Sequence, residues 1–231
     1  MAYRTLLVDL DHTIFDFNAS EIAAFDSALT LLGVDGGTTA DHLATYQRIN
    51  NALWAAAERG EIRSGEIRNL RFHRLAAELG LDADDESVQA VSDTFVAGLG
   101  SHGDLFPGAL DVLEALVPKV DMAIVSNGLG EVVHARVARL GIEHLFRAVI
   151  VSSEVGASKP DPKIFDATFE RLGHPDKVAT LMVGDSLTSD IAGGRAYGID
   201  TAWYNPDARK PRPGDTFTYE ITDLGQLLDL V

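Results

Sequence analysis

The sequence predicts an α/β protein: a doubly wound parallel sheet with an inserted all-helical domain. Five short apolar runs rich in β-branched residues are distributed along the chain, and segments with apolar residues three and four apart lie between them. One stretch, 19–97, breaks that alternation by offering helical patterns in succession and no convincing strand. Strand and helix in alternation build a parallel sheet covered on both faces, whereas an uninterrupted helical stretch reads as a domain of its own.

The elements follow in order. The first strand is expected at 5–8 (TLLV), an apolar run suited to burial on both faces. The insert is expected to hold helices over SEIAAFDSALTLLG, TADHLATYQRINNALWAAAERG, SGEIRNLRFHRLAAELG and DDESVQAVSDTFVAGL, which divides the chain into a first core segment, 1–18, a helical insert, 19–97, and a second core segment, 98–231. Helices are then expected at 108–117, 130–140, 163–172, 188–197 and 222–230, and strands at 122–125, 148–151, 180–183 and 201–204. Asp161 and Pro162 read as an N-cap and first helical residue. The run NPDARKPRPGDT (205–216), rich in proline and polar residues, reads as a surface loop.

Composition narrows the chemistry. An apolar content of 46% over 231 residues is enough for a proper core. There are 35 acidic residues against 19 basic ones, a formal charge of −16, and that field repels long nucleic acids and anionic membranes. No run of eighteen apolar residues and no signal-peptide pattern is present, so a cytoplasmic protein is expected. Cysteine is absent, which removes thiolate metal sites, cysteine nucleophiles and disulfides. Site chemistry must use oxygen and nitrogen.

The first strand runs into VDLDHTIFD (8–16), with Asp9 and Asp11 separated by one residue. Carboxylates at the end of a buried strand cost several kcal/mol unless a cation or a proton compensates them. Other expected strands end in polar residues too: Ser126-Asn127-Gly128 after the second, and Gly184-Asp185-Ser186 after the fourth, with Asp190 a turn later. Ser158-Lys159-Pro160 precedes a helix. Parallel strands share one carboxyl edge, so these groups can converge although they are remote in sequence. Several carboxylates in one crevice call for a hard cation such as Mg²⁺. An ammonium and a hydroxyl with nearby backbone N–H groups are what a phosphoryl group needs around its oxygens.

These motifs, DLDHT, SNG, SKP and GDSLTSD in that order across nearly the whole chain, resemble the haloacid dehalogenase-like hydrolase superfamily, with its Rossmann-like core. The helical insert resembles that superfamily's C1-type cap. DHTIFDF, QRINNALWAAAERGEI and SSEVGASKPDPKIFD resemble its branch of pyrimidine-type nucleoside 5′-monophosphatases. The resemblance implies a Mg²⁺-dependent phosphatase acting on a small phosphate ester, a nucleoside 5′-monophosphate above all. It implies Asp9 as the nucleophile that forms an aspartyl-phosphate. Asp11 would protonate the leaving group and then activate water, with its backbone carbonyl on the metal. Asp9 and Asp185 would be direct metal ligands, with Ser186 and Asp190 supporting the metal shell. Lys159 would neutralise the nucleophile and intermediate, and Ser126 would donate to a phosphate oxygen. Thr13, Asn127 and Gly128 would complete the substrate-binding surface of the core.

Substrate choice is expected from the insert, because the core motifs recognise only phosphate. Candidates are Asn50, Asn51, Trp54, Arg68 and Arg71, whose ring, amide and guanidinium groups could stack on a base or bond its edge. His12 is expected to point away from both aspartates if the strand pleat continues. Sugar phosphates and phosphoglycolate are alternative substrates. A 2-haloacid dehalogenase would share the fold, but halide leaves without a proton, which would give Asp11 no task. A phosphomutase would be told apart by its product, and a phospho-receiver domain would need about half this length and no helical insert. NGLGEVV lacks the third glycine of a dinucleotide-binding turn, and no Walker A pattern is present.

Overall fold

In the computed structural model, which describes residues 2–34 and 37–231, six parallel strands form one sheet in the order β3-β2-β1-β4-β5-β6. They are β1 (Thr5–Val8), β2 (Asp121–Ser126), β3 (Ala148–Val151), β4 (Thr180–Gly184), β5 (Asp200–Tyr204) and β6 (Tyr219–Ile221). β1 lies centrally, with Val8 level with Ile124 of β2 and Val183 of β4. Successive residues face opposite sides of the sheet. Leu6, Val8, Ile124 and Val183 enter one apolar cluster, while Leu7, Ala123, Val125 and Met182 enter the other. Burial on both faces is why these strands read as continuous apolar runs.

The five strands expected from sequence are present within a residue at their ends. The sixth, Tyr219–Ile221, was missed: it is three residues long and has an exposed glutamate at its centre, so it carries no apolar run. The pattern at 222–230 forms a 3₁₀ turn, Leu224–Asp229, rather than an α-helix. The helix expected at 188–197 is divided into a π-helical turn, Leu187–Ile191, and a short α-helix.

The helical stretch after β1 forms α1 (Phe17–Leu31), α2 (Ala40–Glu58), α3 (Ser64–Leu79) and α4 (Asp85–Ser101). They enclose an apolar cluster centred on Phe25, Tyr46, Phe72 and Phe95, whose rings pack at centroid distances of 4.6 to 6.1 Å. α4 continues past 97 because Leu99 extends its apolar face, and it ends before Gly103, where φ is +81°. Two chain crossings join these helices to the sheet and pair with each other: Asp16 N–H donates to the Asp104 carbonyl at 2.9 Å, and Phe106 N–H to the Ile14 carbonyl at 2.9 Å. The other helices are α5 (Ala109–Leu116), α6 (Gly130–Arg139), α7 (Ser152–Val155), α8 (Pro162–Arg171) and α9 (Ala192–Tyr197). The Asp161 side chain caps α8 by accepting from Lys163 N–H at 2.9 Å, with Pro162 first in the helix, as the Asp-Pro pair predicts.

Candidate active site

The carboxyl ends of β1, β2 and β4 share one edge because the strands are parallel and in register there. Asp9 directly follows β1, and its N–H is held by the Val183 carbonyl at 2.9 Å, so the sheet ladder places this carboxylate. After Leu10 the chain leaves the strand. The N–H groups of Ile14 and Phe15 return to the Leu10 carbonyl, and His12 adopts the left-handed conformation with φ of 66°. The pleat therefore does not continue. Contrary to expectation, His12 lines the cleft above the sheet, its ring 5.3 Å from that of Phe17.

Lys159 is fully buried and reaches the centre of this edge. Its Nζ lies 2.6 Å from Asp9 Oδ1 and 2.7 Å from Asp190 Oδ1, and it also donates to the Val125 carbonyl. Burial alone would push the ammonium's pKa down, but the carboxylates of Asp190 and Asp9 outweigh it and raise the pKa. The lysine is a fixed charge.

Asp9, Asp185 and Asp190 each offer an oxygen within 4.8 Å of the others. Burial raises all three pKa values to about 6, working against Lys159 at Asp9 and at Asp190; mutual repulsion adds to it. Three carboxylates face the Lys159 ammonium and, 3.5 Å from Asp185 Oδ2, the Arg209 guanidinium, which leaves an excess of negative charge in the crevice. The donors are all hard oxygens, which fits Mg²⁺ and not a thiolate- or imidazole-seeking ion. Asp190 Oδ2 already accepts from Ser186 N–H at 3.0 Å and Oδ1 faces Lys159, so this side chain backs the cluster. A Cβ at Gly184 would overlap the Asp190 carboxyl, which explains glycine at the end of β4.

Ser126 is buried at the end of β2, lines the cleft and accepts from Gly128 N–H at 3.1 Å, which leaves its own hydroxyl proton free to be donated. Gly128 is required by close packing, since a Cβ there would stand 2.9 Å from Val133. One expected substrate contact is corrected, and a second is found holding a neighbour. Thr13 is fully buried and does not line the cleft; its hydroxyl donates to Asp9 Oδ2 at 3.2 Å and accepts from Asp185 N–H at 3.1 Å, tying the two loops together. Asn127 borders the cleft, but its amide is spent on the Lys159 backbone. Ser186 also borders the cleft, and its Oγ accepts from Ser189 N–H at 3.2 Å.

The cleft, about 500 Å³, is roofed by the helical insert. Trp54 and the exposed Asn51 line it, as do Asn50 and Arg71. Arg68 does not: its guanidinium pairs with Asp93 at 2.5 Å and with Glu131, facing a separate surface hollow. That expectation is overturned because α3 turns Arg68 and Arg71 toward different neighbours, a distinction their shared charge conceals.

Sequence reasoning overlooked three groups. Glu21, buried on α1 and lining the cleft, accepts from Tyr46 Oη at 3.2 Å, Gln47 Nε2 at 3.3 Å and Asn50 Nδ2 at 3.3 Å. Burial raises its pKa. Arg136 on α6 meets Asp11 Oδ1 at 2.6 Å. Arg209, in the loop expected to be mere surface, donates to the Asp185 carbonyl at 2.9 Å and lies over the Trp203 ring. Each sits in an ordinary amphipathic or polar stretch, so no local pattern distinguishes it.

Residues 3–198 match the family model described as haloacid dehalogenase-like hydrolase. The chain belongs to that family. Like other members of the haloacid dehalogenase-like family, it is a hydrolase. It is 38% identical to the HAD-hydrolase YfnB of Bacillus subtilis over 99% of this chain and 95% of that protein. It is 35% identical to the pyrimidine 5′-nucleotidase PynA of Streptococcus pneumoniae, again over 99% and 95%. It is 30% identical to the pyrimidine 5′-nucleotidase YjjG of Escherichia coli, over 100% and 99%. A crystal structure of magnesium-bound YfnB superposes with a TM-score of 0.87, covering 99% of this chain and 98% of that one. Among the described residues no helix is long and apolar enough to cross a membrane.

Proposed function

We propose that the protein is a magnesium-dependent phosphomonoesterase that hydrolyses nucleoside 5′-monophosphates through an aspartyl-phosphate on Asp9. The observation that carries this reading is the position of Asp9: a buried carboxylate held 2.6 Å from a buried lysine, within one oxygen cluster with Asp185 and Asp190, at the floor of a cleft with Asp11 on its rim. A carboxylate nucleophile divides a hard hydrolysis into two easier displacements.

In the first step an Asp9 oxygen attacks phosphorus, the bond to the ester oxygen breaks, and Asp11 gives that oxygen its proton. In the second, Asp11 takes a proton from water, whose oxygen attacks the same phosphorus, releasing inorganic phosphate and restoring Asp9. The Ser126 hydroxyl and Lys159 oppose the charge on the phosphoryl oxygens, and both are placed before substrate arrives. Asp9 and Asp185 would hold magnesium, with the Asp11 carbonyl beside them and Asp190 and Ser186 behind. When bound, the ion supplies Lewis-acid neutralisation of the phosphate charge.

The substrate class rests on the roof of the cleft. Trp54 offers a ring face, and Glu21 is an acceptor flanked by the amides of Gln47 and Asn50, a polar wall suited to the edge of a base. PynA and YjjG, both named pyrimidine 5′-nucleotidases, are similar over nearly the whole chain. Phosphate release from nucleoside monophosphates, sugar phosphates and phosphoglycolate, with and without Mg²⁺, tests the proposal. Sugar phosphates turning over about tenfold faster than every nucleotide would remove the nucleotide assignment and leave the phosphatase. Asp9→Asn should lower turnover by roughly a thousandfold or more, and near-normal turnover would exclude Asp9 as the nucleophile.

A further inference from the structure

Arg136 has essentially no exposed surface, although it carries a permanent charge. Its guanidinium makes contacts to three separate segments of the chain. Nη1 donates to Asp11 Oδ1 at 2.6 Å, Nε to the Leu99 carbonyl at 2.7 Å, and Nη2 to Ser20 Oγ at 3.3 Å. Ser20 stands near the start of α1 and Leu99 near the end of α4, so both junctions between insert and sheet reach the same group. Ser20 Oγ also donates to the Leu99 carbonyl at 3.0 Å, closing a triangle around the guanidinium. The rings of Phe15 and Phe17, in the first crossing, lie 4.5 and 5.2 Å from its central carbon. The neighbouring Arg139 holds the second crossing through the carbonyls of Gly100, His102 and Gly103.

A buried guanidinium fastened on every side is a rigid reference point, unlike a lysine on a flexible stem. It takes only one oxygen of Asp11. The other, Oδ2, lies 3.9 Å from where a Cβ of Gly128 would stand, so it faces the SNG turn that would cradle the phosphoryl group. Asp11 itself lies beyond the end of β1, in an isolated bridge with Phe15 and outside the sheet ladder. Without Arg136 the carboxylate could rotate freely toward solvent.

We propose that Arg136 is a positioning residue for the proton-transfer step: its guanidinium, anchored at both junctions of the helical insert by Ser20 and Leu99, grips Asp11 Oδ1 and thereby aims Oδ2 at the ester oxygen. This rests on the reading of Asp11 as proton donor, and the test separates the two. Alkyl phosphates, whose alkoxide must be protonated to leave, need an aimed donor. p-Nitrophenyl phosphate, whose phenolate leaves unaided, does not.

The experiment compares kcat/KM, which reports only the first displacement and not the shared hydrolysis of the aspartyl-phosphate, for the best alkyl phosphate of the substrate panel and for p-nitrophenyl phosphate in Arg136→Met, Arg136→Lys and Asp11→Asn. Arg136→Met is expected to lose about ten times more activity on the alkyl ester than on the aryl ester, a fraction of the roughly 10²–10⁴-fold that proton transfer contributes. Arg136→Lys keeps the charge but not the fork, and is expected to show the same bias at about threefold or more. It also serves if the Met variant does not fold. A merely structural role would depress both substrates alike, and equal losses in the Arg136 variants alongside a biased Asp11→Asn would overturn the proposal. Equal losses in Asp11→Asn would instead overturn the proton-donor reading itself.

Discussion

Asn127 holds the backbone of Lys159 from both sides: its Oδ1 accepts from the Lys159 N–H at 2.7 Å, and its Nδ2 donates to the Lys159 carbonyl at 2.9 Å. The asparagine of SNG thus fixes the lysine of SKP, and a motif at the end of β2 positions a charge that arrives from a loop about thirty residues later. Two amide hydrogen bonds to one residue leave its backbone little freedom, and the ammonium inherits that placement.

Asn127→Ala should therefore act through Lys159. Leaving a buried backbone pair without partners costs about 1–3 kcal/mol of stability. A displaced ammonium should lower kcat about tenfold, with KM changed less than about threefold, because aim rather than binding is lost. Thermal unfolding and steady-state kinetics check both effects. A variant with an altered KM and an intact kcat would show that the amide contacts substrate directly.

Stability of the metal-free protein should fall with rising pH. Asp9, Asp185 and Asp190 have pKa values near 6 in the folded state, against an ordinary 3.8. Raised carboxyl groups favour folding while protonated, so that contribution is present below about pH 4 and is lost as the pH climbs through about 6. Lys159, raised in the opposite sense of charge, stays protonated throughout and does not reverse the trend. Saturating Mg²⁺ should therefore raise Tm by about 5 °C or more at about pH 7.5, and by much less at about pH 4.5, where protons compete for the same oxygens. Calorimetry with and without Mg²⁺ at the two pH values decides it. An equal gain at both would place the bound ion elsewhere.

Glu21 and Arg68 should behave oppositely on substitution. Glu21→Ala removes the acceptor at the centre of the cleft's roof and should raise KM for a nucleotide about tenfold, the worth of one hydrogen bond to a charged group, while leaving p-nitrophenyl phosphate within about twofold. Arg68→Ala removes a side chain committed to Asp93 and Glu131, outside the cleft, and should leave both KM values within about twofold. A large KM effect at Arg68 would mean that substrate rearranges α3.

Much of this molecule is readable in one dimension. Five of the six strands announce themselves because a strand buried on both faces must be apolar at every position, and TLLV or AIV can be little else. The sixth, with the pattern YEI at the sheet margin, is under no such demand. Asp9 and Asp185 stand out because carboxylates at the end of a buried strand are costly unless compensated, and Lys159 because SKP resembles a family motif. Arg136, Glu21 and Arg209 carry no such mark, since an arginine or glutamate on an amphipathic helix or in a polar loop is unremarkable until its surroundings close over it.

The amino-acid sequence by itself determined the sheet, the helical insert and the residues that gather at the carboxyl edge, because hydrophobic period and the cost of buried charge are local properties. Only the tertiary structure decided which groups those residues meet. It turned Thr13 and Asn127 inward as braces, sent Arg68 to the outer surface, and brought Arg136 from α6 against Asp11. Such pairings depend on the rotation of each helix about its axis and on the path of two chain crossings. Many distant contacts set those quantities together, and no short stretch of residues encodes them.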